Sequence, residues 1–471
     1  MKSVFPLAVL FAFGLQLSAA PPLESSINTA SRLNWTKYQS TTVRLMREYL
    51  RIDTSNPPGN ELEAADFFHR LFDSNGIPNT VFPVAPKRAD IYAILKGNGT
   101  LRPIVLLNHM DVVRAVPQDW KVPPFAGETL DRAIYGRGAL DMKDIGLLQA
   151  MVMIMVANEH IPLKRDLIFL GTADEEVGDT GATWFLAHHT DLLRNAAYLL
   201  TEGGTSVTYP GQGTLFGIDV AEKAPLWIRV TAKGRGGHGS IPIPESAANR
   251  LVAAMDRVVQ WQTPIHLLPL VEEYFHQIAR LQKEPLRNDF LNLRESLKNP
   301  EIRNALSRDP NFNYLFRDTV SLTVLHAGQQ TNVIPDTAYS ELDVRLLPGD
   351  EPQDFLAQLR KVIGDPEIEL ETVGEFRQPN SSPTATMLYQ VIEQVVHRYD
   401  PQAVVAPELN SGYTESQMFR PLGITAYGFT PIKVSPEVEE TQHAANERVP
   451  VQQLRQGLKI LFEVVTRAAN Q

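Results

Sequence analysis

Buried strands and helices alternate along the first half of the chain. Continuous apolar runs at 104–111, 167–176 and 197–204 predict strands that are buried on both faces, and the apolar stretch 145–159 predicts a buried helix between two of them. Such alternation is typical of a parallel sheet covered on both faces. We therefore expect an α/β fold with a central, mostly parallel sheet.

The pattern changes near residue 223. Apolar and polar positions alternate, as in half-exposed strands, in the segments 225–234, 320–328 and 337–347. Two helical segments lie among them, at 247–261 and 351–363. From about residue 378 the first pattern returns and ends in a helix. These changes predict a separate α+β unit inserted into the first domain.

The domain boundaries follow from these changes of pattern. We predict a main domain in two parts, 21–222 and 378–471, and an insert, 223–377, which contains a helical excursion at 263–318. Ahead of the first part, residues 1–20 have the layout of a signal peptide, with one Lys before an apolar run and small residues after it. We expect a secreted or periplasmic protein with no stable membrane span after removal of this segment.

Composition limits the chemistry that is available. The chain of 471 residues contains no cysteine, and 54 acidic against 44 basic side chains give a formal net charge of -10. The lack of cysteine excludes disulfides, thiolate catalysis and zinc–thiolate sites. An acidic chain is also a poor general ligand for nucleic acid. Any bound metal must be held by His, Asp and Glu.

Histidine and acidic side chains follow several predicted strands, where open α/β sheets bind their ligands. They are His109 and Asp111, Asp141 after a glycine-rich turn, Glu175 and Glu176, Glu202, and His443 in a polar loop near the C-terminus. Gathered carboxylates repel one another unless a cation neutralises them. Nitrogen and oxygen ligands without sulfur suit two Zn²⁺, Co²⁺ or Mn²⁺ ions, which form a known hydrolytic device.

These residues lie in the motifs NHMDVV, YGRGALDMK, ADEEVG, TEGG and QHAANE. The order and separation of the motifs resemble those of the di-zinc aminoacylase, carboxypeptidase and succinyl-diaminopimelate desuccinylase family of metallohydrolases. The resemblance covers about residues 40–460. It implies a zinc-peptidase-like catalytic domain with an inserted lid domain of the dimerisation type. A homodimer is an expectation from the family, and the long excursion could alter or block the usual lid-to-lid strand pairing.

The resemblance also implies a ligand set for two divalent ions, most simply zinc. By motif position, Asp141 would bridge the two metals. His109 and Glu202 would complete one site, and Glu176 and His443 would complete the other. In the family the peptide bond after the bridging aspartate is typically cis, so we expect a cis bond after Asp141.

A hydrolytic mechanism follows from the same resemblance. Glu175 would be the general base that takes a proton from the water bridging the two metals and passes it to the leaving amine. Asp111, two positions after His109 in an extended stretch, would orient that imidazole. His238, in the insert motif GRGGHGSIP, would stabilise the oxyanion, in many relatives from the second subunit of a dimer.

Four further residues match family positions that contact substrate: Asn332, Arg345, Gly412 and Thr414. Arg345 is expected to bind a free carboxylate through two hydrogen bonds, and an ordinary residue of a surface strand is the less favoured alternative. Two positions depart from the family pattern, with Glu415 in place of Asp and Asp144 in place of Gly or Ser. Neither departure falls on a predicted metal ligand.

Within the family, the segment WKVPPFAG and the excursion 263–318 are most similar to the branch of carboxypeptidase S and the N-fatty-acyl-amino-acid hydrolases. We therefore predict a secreted hydrolase that cuts an amide bond next to a free carboxylate in a small molecule or short peptide. An aminopeptidase or dipeptidase of the same family is the alternative, and a non-catalytic binding module is another. The excursion would either line an acyl channel or only pack over the lid.

Overall fold

The computed structural model describes residues 32–471. The predicted signal peptide, residues 1–20, lies outside the described residues. Among the helices of the described range, none is both long enough and apolar enough to cross a membrane.

The central sheet has nine strands and is parallel at its centre. Four adjacent parallel strands form that centre, in the order Thr425–Gly428, Tyr198–Thr201, Ile104–His109 and Leu167–Thr172. The strands on either side are Arg88–Leu95 and Asn79–Ala85 at one edge, and Gly213–Glu222, Ser206–Tyr209 and Val404–Asn410 at the other. The sheet and its helices confirm the predicted α/β class.

Apolar side chains on both faces of the sheet explain the unbroken hydrophobic runs. Successive side chains of a strand point to opposite faces. In the strand Leu167–Thr172, the ring of Phe169 lies 5.0 Å from that of Phe68 on one face. Ile168 packs on the other face in a buried cluster that includes Phe185. Each face is therefore covered by a different helix.

The helices of the catalytic part are Trp35–Tyr49, Glu61–Asp73, Lys143–Asn158, Thr180–His189, Met387–Tyr399, Ser416–Phe419, Pro436–Glu439 and Val451–Ala468. The helix Lys143–Asn158 is buried along almost its whole length and packs on the first and last of these helices. It is the apolar helix that the sequence predicts, and its N-terminus lies beside Asp141.

A second, four-stranded antiparallel sheet lies in the region 223–377. Its strands are ordered Thr319–Ala327, Thr337–Leu346, Ala224–Lys233 and Glu369–Val373. The helices Ala247–Gln260 and Pro352–Ile363 pack on one face and share a buried apolar cluster with it. The opposite face stays partly open, and Trp227 is half exposed there.

The region 263–318 consists mainly of short helices. Its helices are Pro269–Ile278, Leu286–Leu291, Leu293–Ser296, Pro300–Arg308 and Pro310–Asn313. Short strand pairs complete the described structure: Ser55–Asn56 with Val112–Val113, Gly237–His238 with Val333–Ile334, and Glu128–Leu130 and Arg448–Pro450 with Ala133–Tyr135.

Candidate metal centre

Side chains from separate parts of the chain meet at the carboxyl ends of the central parallel strands. His109 is the last residue of its strand, and Glu202 directly follows the strand Tyr198–Thr201. Glu176 follows the neighbouring strand in a short turn, and Asp141 lies at the start of the buried helix. Because parallel strands end at one edge of a sheet, these acids are brought together there.

One carboxylate lies between two imidazoles. Oδ1 of Asp141 is 3.1 Å from Nε2 of His109, and its Oδ2 is 2.9 Å from Nε2 of His443. Nε2 of His109 is also 3.5 Å from Oε2 of Glu202, and Nε2 of His443 is 3.4 Å from Oε1 of Glu176. The five predicted ligands therefore lie together, grouped as the resemblance implies.

The donor set fits a pair of divalent ions. Ligand atoms of His109, Asp141 and Glu176 all lie within 4.8 Å of one another. Oε1 of Glu176 is buried and has no hydrogen-bond partner among the described residues. A buried carboxylate oxygen without a donor favours a cation, and two imidazoles with three carboxylates are ligands that zinc accepts.

The ligands also perturb one another's protonation. The carboxylates of Asp141 and Glu176 raise the pKa of His443 to about 10. Although burial acts against it, Glu202 and the neighbouring aspartates raise the pKa of His109 well above its usual value. Since a metal binds only the neutral imidazole, protons compete with metal for both histidines, and metal affinity falls as the pH falls.

Asp111 supports the centre from behind. Its backbone oxygen lies 3.1 Å from Nδ1 of His109, which leaves Nε2 facing the acids. Its carboxylate accepts the backbone N–H groups of Glu175 and Glu176, each at 3.1 Å, and the side-chain amide of Asn56 at 2.7 Å. Asp111 therefore joins the histidine to the turn that carries the two glutamates, by more contacts than the sequence indicates.

Glu447 is a supporting residue that the sequence analysis missed. Its buried carboxylate accepts the N–H groups of Gly138 at 3.1 Å, Leu140 at 2.7 Å and Asp141 at 3.3 Å. It also pairs with Arg137 at 2.6 Å. The turn that presents Asp141 is thus held by one side chain. The only sequence signal was its place in the motif QHAANE.

The peptide bond between Asp141 and Met142 is cis, as expected. The sulfur of Met142 accepts the backbone N–H of His109, the last residue of its strand, at 3.3 Å. The bridging candidate and the first histidine are thereby joined through the backbone as well as through their side chains.

Glu175 lies beside the ligand group. One oxygen of its carboxylate lies within 4.8 Å of ligand atoms of both His109 and Glu202. Burial raises the pKa of Glu175 well above its usual value, and nearby acids, including Glu202, add to this effect. A carboxyl in this place is able to hold a proton near neutral pH.

The insert residues lie apart from the ligand group. His238 is exposed, and its Nδ1 accepts the backbone N–H of Ser240 at 3.1 Å. Asn332 is its neighbour, because the backbone N–H of Gly239 donates to the Asn332 carbonyl at 2.8 Å. In the described range, no hydrogen bond or ion pair joins either residue to the five ligands.

The other predicted substrate residues have partners within the chain. Arg345 forms a two-pronged ion pair with Asp343, at 2.8 and 3.1 Å. Thr414 is buried, and its hydroxyl donates to Glu222 at 2.9 Å. The backbone N–H of Gly412 donates to a nearby asparagine side chain at 2.8 Å. Their substrate roles remain predictions.

Both departures from the family pattern are buried. Oε2 of Glu415 accepts the hydroxyl of Thr172 at 2.7 Å, and burial raises the pKa of Glu415 well above its usual value. Asp144 accepts the backbone N–H of Ile145 at 2.8 Å. Burial likewise raises the pKa of Asp144 well above its usual value.

Comparison with known proteins gives this arrangement a family. A family model described as peptidase family M20/M25/M40 matches residues 105–467. The chain belongs to this family. It is 30% identical over 418 residues to the human N-fatty-acyl-amino acid synthase/hydrolase PM20D1, covering 86% of this chain and 82% of that protein. As a member of peptidase family M20/M25/M40, the chain is a hydrolytic enzyme.

Solved structures of the same family share the fold. The M20 family metallo-carboxypeptidase Sso-CP2 from Sulfolobus solfataricus has a TM-score of 0.68 and 18% identity, covering 90% of this chain and 98% of that one. The Bacillus subtilis YXEP protein, described as a dinuclear metal binding peptidase, has a TM-score of 0.58 and 14% identity, covering 92% and 99%. At these identities the likeness shows the fold alone.

Proposed function

We propose that the enzyme is a di-zinc hydrolase that cuts an amide bond beside a free carboxylate, in an N-acyl amino acid or at the C-terminal end of a peptide. The observation that carries this proposal is the position of Asp141 between two imidazoles, with Glu176 and Glu202 completing the two sets. The name of the human relative favours an amide substrate with a free carboxylate.

Zinc is the metal that we propose, with cobalt or manganese as alternatives that fit the same ligands. Two such ions, when bound, would polarise the scissile carbonyl and lower the pKa of a water molecule. His109 and Glu202 would hold one ion, His443 and Glu176 the other, and Asp141 both. Asp111 would keep the His109 ring in its orientation.

Glu175 is the proposed proton carrier. Its carboxylate would take a proton from the attacking water and deliver it to the leaving nitrogen, which would then depart as a neutral amine. Its position beside His109 and Glu202, and its raised pKa, support this role. His238 is the proposed oxyanion donor, and a second subunit would supply it in a homodimer. We further propose that the protein is exported by means of residues 1–20.

The test is hydrolysis of matched amides by the zinc-loaded protein. N-acyl amino acids and N-blocked dipeptides should release free amine, and the same compounds with a C-terminal carboxamide should react far more slowly. Unblocked dipeptides test the aminopeptidase alternative. Faster cleavage of the carboxamides, or cleavage of unblocked dipeptides alone, would contradict the proposal.

Glu175→Gln should keep both metals and lose about 10²–10⁴-fold in turnover, because a positioned acid–base group contributes that much. Glu371→Gln is the matched control, since Glu371 is exposed on the second sheet. Full turnover by the Glu175 variant would disprove the proposed base.

A further inference from the structure

A cavity of about 320 Å³ opens directly beside the candidate metal centre. Glu202 and Gln442 line it on the side of the centre, and Gln442 donates to Oδ2 of Asp141 at 2.8 Å. Tyr274 and Tyr314 of the excursion line it too. The excursion therefore forms part of the wall of the space next to the predicted scissile bond.

Two buried carboxylates lie in this cavity, which we call the acidic cavity. Asp219 and Glu408 are paired residues on neighbouring parallel strands, and 3% and 8% of their surface is exposed. Asp219 accepts the amide of Asn410 at 2.9 Å, and Glu408 accepts the backbone N–H of Thr205 at 2.7 Å. In the described part of the chain, neither has an ion-pair partner, and no Lys, Arg or His lines the cavity.

Unused hydrogen-bonding groups point to a ligand. The hydroxyls of Tyr274 and Tyr314 have no hydrogen-bond partner among residues 32–471, although both line the acidic cavity and burial raises the pKa of both. Both side chains are partly buried, and the hydroxyl of a partly buried tyrosine ordinarily takes a hydrogen-bond partner. Among the described residues, two acids without an ion-pair partner and two hydroxyls without a hydrogen-bond partner therefore line the same space.

We propose that the acidic cavity receives a positively charged nitrogen of the substrate, an ammonium or a guanidinium. Such a group favours the ionised forms of Asp219 and Glu408 and gives them an ion-pair partner, which neither acid has among the described residues. The tyrosine rings and hydroxyls add cation–π and hydrogen-bond contacts. An anionic group in the same place is repelled. The proposal rests on the proposed function, because the charged nitrogen belongs to the amide substrate.

The charge could come from either side of the scissile bond or from a free α-amine, and the experiment separates these sources. One series has a common acetyl group: N-acetyl-lysine, N-acetyl-norleucine and N-acetyl-glutamate. A second has a common phenylalanine: its 6-aminohexanoyl, hexanoyl and adipoyl amides. A third compares alanyl-phenylalanine with its N-acetyl form. The measured quantity is the kcat/KM of the zinc-loaded full chain for each compound.

In at least one series we expect the cationic compound to exceed its neutral counterpart about tenfold, as a charged hydrogen bond allows, with any anionic compound slowest. Glu408→Gln and Asp219→Asn should each bring that cation-to-neutral ratio close to one. Glu440→Gln is the control. It removes one exposed carboxylate from an adjoining cavity and should leave the ratio unchanged.

Equal rates for cationic and neutral compounds in all three series would overturn the proposal. So would preference for an anion, or a ratio that survives both variants. If no compound is cut, the proposed function fails instead. The affinities of the cationic and neutral compounds are then compared by calorimetry. Equal affinities would overturn the cavity proposal independently of the proposed function.

Discussion

One group of buried acids lies beyond the ends of the central strands and a second lies within two strands of the same sheet, and their surroundings differ. In the metal centre, Asp141 is in contact with two imidazoles, and ligand atoms converge within 4.8 Å. In the acidic cavity, Asp219 and Glu408 are accompanied by tyrosines and amides, and no histidine lines the cavity in the described range. Buried acids alone therefore do not define a metal site. The two imidazoles make the first group suitable for zinc. The second group has no imidazole in the described range, and it is suited to an organic cation instead.

The largest expected effect comes from removing the shared ligand. Asp141→Asn should lower kcat/KM by more than about 10³-fold, because both ions lose a charged ligand and the activated water depends on them. The measurement is amide hydrolysis at saturating zinc. Asp144→Asn is the matched control, since the carboxylate of this buried neighbour accepts the backbone N–H of Ile145 and, among the described residues, makes no hydrogen bond to a predicted ligand. Comparable losses in the two variants would mean that Asp141 acts only through folding.

A smaller effect is expected from Asp111→Asn. The amide keeps the size of the side chain but cannot accept all of the N–H groups that Asp111 now accepts from Asn56, Glu175 and Glu176. Loss of such support typically lowers metal affinity about 10–100-fold. Zinc affinity by competition with a chelator is the readout, and an unchanged affinity would show that His109 is oriented without Asp111.

Glu447→Gln tests the turn before Asp141. The neutral amide would weaken the bonds from Gly138 and Leu140 and leave Arg137 buried without its partner. We expect a loss of about 1–3 kcal/mol in the free energy of unfolding, together with weaker zinc binding. Denaturant unfolding of the metal-free protein measures the first quantity. Full stability would indicate that the turn is held by other contacts.

The smallest expected effect concerns the acidic cavity and pH. Burial raises the pKa of Glu408 to about 8, above its usual 4.5. The folded state binds the proton of Glu408 more tightly than the unfolded state does. The contribution of Glu408 to the free energy of unfolding is therefore fully present below pH 4.5 and is lost as the pH rises through 8. Glu408→Gln should therefore raise Tm by about 2 °C at pH 8.5 and leave it nearly unchanged at pH 4.5. The same change at both pH values would contradict this assignment.

Hydrophobic periodicity predicted the location of the strands and helices well, but not where the strands end. The strand predicted at 167–176 stops at Thr172, because Asp174 has a positive φ of 71° and cannot continue an extended chain. The strand predicted at 197–204 stops at Thr201, since Gly203 turns with a φ of 100°. The acidic residues of the centre therefore lie in turns just beyond the strands.

The candidate ligands could be found in the sequence because histidines and acids placed after buried strands form a recognisable pattern. The supporting residues could not. Glu447 acts by accepting backbone N–H groups, and Asn56 reaches Asp111 only because two short strands pair in the fold. Asp219 and Glu408 likewise become neighbours only through strand register. Such roles arise from tertiary contacts that no local pattern records.

The direct measurement of the central claim is the zinc content of the purified chain by mass spectrometry after loading and dialysis. We expect two zinc ions per wild-type chain. His443→Ala and Glu202→Gln should each lower the affinity for a different zinc ion, so that each variant retains fewer than two zinc ions per chain. A wild-type chain that holds no zinc, or variants that keep both ions at full affinity, would contradict the account.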